Sequence, residues 1–324
     1  MILVGLLAIT LPVSLAFWAT SVISSWYSED VAPPSPLRCF TSLFIPLVFA
    51  VWGYRKRSLN LSGALTGLIL GFVLTFSNYS FLAALIAFFV SSSKATKYRS
   101  TRKKKFEPEF KEGGQRNWVQ VLCNGGVATE LALLYVLECG IGEKVINPRQ
   151  SWQGSMLALG VLSALAESCG DTWASELGTV CASGDPYLVT TFRRVPKGTN
   201  GGVSLVGTVF SALGGALVGT VYYFTLLLCV GTDTLVRSPP QWPLIVAGAT
   251  AGLLGSLFDS VLGATLQYSG VDTTTGHIVE EPRPGVKHVS GIAILDNHAV
   301  NLITNLTTAL IVPWLTLHVF MFFH

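Results

Sequence analysis

Charge is scarce in this chain. Lys, Arg, Asp and Glu together make up 12% of the 324 residues, against 50% hydrophobic, and the mean hydropathy is +0.55. Soluble domains carry about a quarter charged residues, so that class is excluded. No polar stretch is long enough to form a soluble domain of its own. Closely spaced cysteines are also missing: Cys39, Cys123, Cys139, Cys169, Cys181 and Cys229 are scattered, which argues against a metal-binding cluster and fits small apolar residues in or near helices. The terminal Gly-Lys-Ser/Thr order of a phosphate-binding loop of the soluble kind is absent, and no histidine stands out as a catalytic base.

What the chain has in quantity is apolar runs near the twenty or so residues that cross a bilayer. They fall at roughly 1–24, 37–54, 60–76, 79–93, 118–140, 152–168, 203–230, 241–267 and 291–320, which predicts an all-α polytopic bundle of about nine spans. The first run lacks a basic amino-terminal region and a convincing cleavage site, so it is expected to stay as an anchor. The bundle divides into four amino-terminal spans (1–93), a basic loop (94–117) and a five-span core (118–324), within a single membrane domain.

Lys and Arg gather in "RKR" at 55–57, in the loop from Lys94 to Arg116, around Arg193, Arg194 and Lys197, and at Arg283 and Lys287. With nine spans these loops share one side, the cytosolic one, when the amino terminus is cytosolic. The net charge of +3 is then a mark of topology, and nucleic acid is not an expected partner. The triplets at Asn60, Asn78 and Asn305 match the glycosylation pattern but sit on the wrong side, in a tight loop and inside a span.

Polar residues collect at the cytosolic ends of separate spans. In "NWVQVLCNGGVATE", Asn117, Gln120 and Asn124 recur at helical spacing and share one face. The sixth span ends in Glu167 and Asp171, four apart, with Ser175 a turn further on and Glu176 beside it. The eighth carries Asp259. The ninth opens with "LDNHAVNLITNL", whose Asn297, Asn301 and Asn305 line one face behind Asp296 and His298. Single amides such as Gln120 and Asn305 are expected to join neighbouring helices. Four carboxylates, Asp171, Glu176, Asp259 and Asp296, need positive partners that the spans hardly offer, so a shared cavity holding Mg²⁺ is expected.

"FRRVPKGTNGGVSLVGT" sets Arg193, Arg194 and Lys197 just ahead of Gly198, Gly201 and Gly202, then enters the seventh span. Glycines let backbone amides approach an anion, and a helix amino terminus favours it. Alone this would be a flexible turn; its place beside the acidic segment favours the expectation of a phosphate site. The segment 270–290, with His277, Arg283, Lys287 and His288, is expected to be a hydrophilic connector without helix, a lid being the sharper alternative.

"EGGQRNWVQVLCNGG", "GDTWASELG", "VPKGTNGGVSLVGT", "GSLFDSVLGATLQY" and "ILDNHAVNL" together resemble the membrane family of transmembrane protein nineteen, which includes the plant phytyl-phosphate kinase. "GDTWASELG" followed by "KGTNGG" is also distantly similar to the CTP-using polyprenol and phytol kinases. The resemblance implies transfer of a phosphoryl group from a nucleoside triphosphate, CTP or ATP, to an isoprenyl or long-chain alkyl monophosphate. On that reading Asp171, Glu176, Asp259 and Lys197 are the catalytic set, and Asp171, Glu176, Asp259 and Asp296 hold Mg²⁺. Arg193, Arg194 and Lys197, with Gly198, Thr199, Asn200, Gly201 and Gly202, bind nucleotide phosphates. Asn124, Ser175, Asn297 and Asn301 orient the lipid phosphate. A phosphate nucleophile is already ionised near neutral pH, so no strong base is required. The hydrocarbon tail is expected between spans, where each buried CH₂ contributes about 0.8 kcal/mol.

Two other classes compete. A transporter would use polar stripes and glycine-broken helices, but needs them across the whole bilayer, and the opposite half of this chain is mostly apolar. A lipid cytidylyltransferase or phosphotransferase shares the metal and phosphate logic, although the spaced aspartates of the alcohol phosphotransferases are absent. A scaffold without chemistry explains none of the acids. The expected compartment is the endoplasmic reticulum.

Overall fold

The computed structural model describes residues 2–26, 33–98 and 114–323. Most of the basic loop lies outside them. Among the described residues there are nine long helices: α1 (Ile2–Trp26), α2 (Pro36–Arg55), α3 (Leu61–Ser77), α4 (Tyr79–Lys97), α5 (Trp118–Cys139), α6 (Trp152–Cys181), α7 (Leu205–Cys229), α9 (Pro243–Leu266) and α10 (Asn297–Met321). A short α8 (Thr232–Val236) follows α7. The nine match the expected spans one for one. Seven of them are long and apolar enough to cross a membrane. Of the other two, α3 is only 17 residues long, and α6, at 30 residues, carries Glu167, Asp171 and Glu176.

Short polar side chains start most of these helices by accepting an otherwise orphaned backbone N–H. Ser35, Asn60, Asn78, Ser151, Ser204 and Asp296 do this for α2, α3, α4, α6, α7 and α10. Asn117 and Gln120 cap α5 reciprocally: Gln120 N donates to Asn117 Oδ1 (3.0 Å) and Asn117 N donates to Gln120 Oε1 (3.1 Å). Asn60 and Asn78, two of the glycosylation-like positions, are therefore capping residues.

Helix α6 is the axis of the bundle and packs against α4, α5, α7, α9 and α10. Every residue from Ala158 to Gly170 is buried. One apolar core joins Leu74, Phe81 and Phe88 of the amino-terminal half to Leu162, Tyr222, Leu244 and Phe320 of the rest, so the two halves are not separate bodies. Close approach of α6, α7 and α9 depends on small residues: a Cβ on Gly170 would stand 2.6 Å from the Ser211 carbonyl, and one on Gly252 would stand 3.0 Å from Gly215 Cα. Gly170 directly precedes Asp171, and Gly252 lies one turn before Ser256. The packing that glycine permits thus sets the spacing of the polar residues that follow.

Two expectations change here. The sixth helix does not stop near 168 but continues to Cys181, so Asp171, Ser175 and Glu176 are all helical. The segment 270–290 is not a plain connector. It forms an antiparallel sheet of order β4-β3-β5 from β3 (Ser269–Asp272), β4 (Ile278–Val279) and β5 (Val286–Ser290), while β1 (Tyr187–Leu188) pairs with β2 (Gly202–Val203). Asp272 anchors the β3–β4 turn. Its carboxylate accepts from the Thr274 hydroxyl (2.5 Å) and backbone N–H (2.9 Å) and from Arg283 (2.8 Å), and these bonds, Thr274's first, hold it below the usual carboxylate range.

Candidate functional site

A cavity of about 390 Å³ opens where the ends of five long helices meet. Its walls are the start of α5, the last turns of α6, the start of α7, the end of α9, the start of α10 and the turn 197–204. Residues far apart in sequence but expected at one depth do converge: Asn124, Asp171, Ser175, Glu176, Asp259, Asn297 and Asn301 all line it. So do Lys197, Gly198, Thr199, Asn200, Gly201 and Gly202.

Asp171 and Asp259 face this space from neighbouring helices. Ser256, one turn before Asp259 on α9, donates from Oγ to Asp171 Oδ1 at 3.2 Å. With its amide nitrogen turned toward the acceptors around it, Asn301 donates to Asp259 Oδ2 (3.3 Å) and to the Asn297 carbonyl (2.9 Å). Asp259 is near enough to Asp171 for their charges to interact. Glu176 stands about a turn and a half beyond Asp171, on the side where Arg116 approaches.

The turn 197–204 is built on its own backbone. Gly198 and Gly201 have φ of +90° and +78°. A side chain at Gly201 would bring Cβ within 2.6 Å of Ala264 N and the Ser260 carbonyl, so the strand-like turn presses directly onto α9. The sheet buttresses it from behind: Asn200 N donates to Ser269 Oγ at 3.0 Å. Lys197 Nζ donates to the Thr179 (3.2 Å) and Ala182 (3.0 Å) carbonyls, which closes the carboxyl end of α6 and leaves the ammonium on the cavity wall.

Three expected residues lie elsewhere. Arg193 and Arg194 are exposed and outside the cavity lining. The Arg194 guanidinium donates to the Tyr187 hydroxyl at 3.3 Å, held there by an antiparallel backbone bridge between the two residues. Asp296 is the cap of α10: its Oδ1 accepts from Ala299 N at 2.8 Å. Nor do four carboxylates form one cage: among the described residues no three His, Cys, Asp or Glu side chains cluster tightly enough to hold a metal ion. The donors that line one space are Asp171 and Asp259, with Glu176 further along the wall and amide and hydroxyl neighbours beside them. That set fits Mg²⁺, which is commonly held by one or two carboxylates with waters and substrate phosphates completing its shell.

Asn305 does what a single intramembrane amide was expected to do, and Glu167 is its partner within the bundle. Asn305 Nδ2 donates to Glu167 Oε2 (2.7 Å), Ser168 Oγ (2.8 Å) and the Ala164 carbonyl (2.8 Å), joining α10 to α6 in the buried layer beneath the cavity. Several lining residues went unnoticed in the sequence: Arg116, Thr179, Ser211, Ser256 and Ser260. Ser256 and Ser260 flank Asp259 at helical spacing, a signal that was present in "GSLFDSVL". Arg116 was hidden among the other cations of its loop.

Comparison with known proteins agrees with the membrane architecture. The sequence pattern of the family described as Integral membrane protein DUF92 matches residues 44–309. Protein PGR of Arabidopsis thaliana is 38% identical over 283 residues, covering 87% of this chain and 98% of that protein. An uncharacterized membrane protein of Methanocaldococcus jannaschii is 28% identical, covering 72% of this chain and 86% of its own length. Protein VTE6, chloroplastic, also of Arabidopsis thaliana, is 28% identical over 64% of this chain and 56% of that protein. No solved structure matches. The endoplasmic reticulum expected from sequence gains no support: the relative whose name states a compartment is chloroplastic.

Proposed function

Since the chain belongs to the DUF92 family of integral membrane proteins, we propose that it is a membrane kinase for a lipid monophosphate, moving a phosphoryl group from CTP or ATP to an isoprenyl or long-chain alkyl phosphate. The observation that carries this reading is one cavity lined by three carboxylates from two helices, Asp171, Glu176 and Asp259, a glycine-rich turn and two cations, Arg116 and Lys197. The motif resemblance to the family of transmembrane protein nineteen and the phytyl-phosphate kinase supports the same reaction.

Phosphoryl transfer asks a protein chiefly to hold two phosphates in line and to offset their charge. Asp171 and Asp259 would hold Mg²⁺, with Glu176 nearby. The ion, when bound, neutralises charge that develops on the phosphate oxygens. The backbone amides of residues 198–202 and the Lys197 ammonium would grip the nucleotide phosphates. Asn124, Asn297 and Asn301 supply amides that orient the second phosphate or a carboxylate. Ser175 lines the wall but donates to the Asp171 carbonyl (3.0 Å), which makes it a helix-stabilising neighbour.

What lies below closes the cavity on one side. Beneath the Asn305–Glu167 layer, Leu159, Leu162, Tyr135 and Tyr222 are fully buried and fill the bundle. The cavity therefore ends blind, as a reaction chamber open to one face needs. Purified protein in detergent, given Mg²⁺, labelled CTP or ATP and farnesyl, geranylgeranyl or phytyl monophosphate, should yield a labelled diphosphate. No product with any of these, from protein that melts cooperatively, would reject the reading.

A further inference from the structure

Beside the polar cavity lies a second, narrow space of about 80 Å³ between α2, α3, α4 and α5. Its lining is almost wholly apolar and includes Pro46, Leu70, Leu82, Leu85 and Phe89. The two spaces share the four residues Phe88, Arg116, Gln120 and Asn124, so an apolar slot and a polar chamber adjoin along one wall. Arg116 stands in that shared wall. Its backbone is pinned to the α2–α3 turn, N donating to the Ser58 carbonyl (3.0 Å) and its carbonyl accepting from Asn60 N (3.0 Å). Among the described residues its guanidinium donates long bonds to neutral hydroxyls, Ser93 Oγ at 3.4 Å and Thr96 Oγ1 at 3.3 Å, with Glu176 in electrostatic range.

We propose that this slot takes the hydrocarbon chain of the lipid monophosphate and that Arg116 grips its phosphate at the shared wall. The inference rests on the kinase reading for the identity of the headgroup. The occupant follows from the order of surfaces: apolar walls in the slot, a guanidinium suited to phosphate oxygens at the junction, then Asp171 and the glycine-rich turn beyond. It also divides the two cations. Lys197 serves the nucleotide on the α6–α7 side, and Arg116 serves the acceptor on the α4–α5 side, with the α6 acids between them.

Photolabelling with diazirine-tagged farnesyl monophosphate tests the slot without requiring turnover. Label mapped to α2–α5 supports it; label confined to α6–α10 overturns it. Gly67 offers a way to fill the slot, because a Cβ there meets only Leu59 Cδ1, at 3.9 Å. Gly67→Leu should cut labelling at least tenfold, whereas Leu65→Phe on the exposed face of α3 should leave it unchanged. Arg116→Gln should weaken labelling by the monophosphate but not by diazirine-tagged farnesol. Equal labelling of Gly67→Leu and wild type overturns the inference, and if that variant does not fold, the wild-type map decides alone. Label in the slot without any diphosphate product would keep the slot and reject the kinase. Wild-type diphosphate yield from long-chain substrate in Gly67→Leu would keep the kinase and reject the slot.

Discussion

Ser256 Oγ donates to Asp171 Oδ1 across 3.2 Å, tying α9 to α6 at the floor of the cavity. The bond fixes one carboxylate oxygen and leaves the other for a ligand. Hydrogen bonds to charged groups contribute about 1.5–3 kcal/mol. Ser256→Ala should therefore lower kcat about tenfold and also lower the melting temperature, because it leaves a part-buried carboxylate oxygen without its donor. A steady-state assay beside a thermal melt checks both halves.

The basic residues of the 193–197 segment should separate into two classes. Arg193→Ala and Arg194→Ala remove side chains outside the cavity and should change kcat/KM by less than about threefold, as surface substitutions generally do. Lys197→Met removes a cation from the wall and should raise the KM for nucleotide about tenfold or more, a loss of about 1.4 kcal/mol or more of charge-assisted binding. Nucleotide titrations of the three variants distinguish the two classes.

Gly201→Ala tests the turn itself. The residue sits at φ +78°, and its added carbon would collide with the backbone of Ala264 and Ser260. Left-handed backbone alone costs a non-glycine residue about 1–2 kcal/mol. The variant should melt earlier and bind nucleotide more weakly, since the turn can relieve the clash only by lifting off α9. Gly276→Ala, also at positive φ (+71°) but with nothing within 4 Å and outside the cavity lining, should show only the smaller backbone cost and keep its nucleotide affinity.

Asn305→Ala should act on stability rather than on turnover. It leaves Glu167 with Ser168 as its remaining hydrogen-bonding side chain in a buried layer, and an unmet buried polar group costs about 1–3 kcal/mol. The expected result is a lower melting temperature with kcat per folded molecule within about twofold of wild type. A large fall in kcat at unchanged stability would move Asn305 into the reacting site.

The bundle and the depth of its polar stripes were legible because membrane length and helical period both leave strong marks on composition. The convergence of Asp171, Asp259, Asn124 and Asn301 followed from those marks alone. What stayed hidden depended on local geometry. Arg193 and Arg194 look like phosphate ligands in a linear reading, but a backbone bridge sets Arg194 beside Tyr187. Asp296 looks like a fourth acid and is a helix cap, a role that the helix start at Asn297 reveals and hydropathy does not. Arg116 was lost among neighbouring cations, because its placement comes from backbone bonds to Ser58 and Asn60, some sixty residues earlier in the chain.

The most direct test is the rate at which Asp171→Asn and Asp259→Asn proteins form labelled diphosphate from a lipid monophosphate, compared with wild type at saturating Mg²⁺. Asn keeps the size of each side chain and, at 171, an oxygen to accept from Ser256. Loss of a group that offsets transition-state charge costs on the order of 10²–10³ in kcat, so each variant should fall by about that factor while melting as wild type does. Rates equal to wild type in both variants would contradict the account.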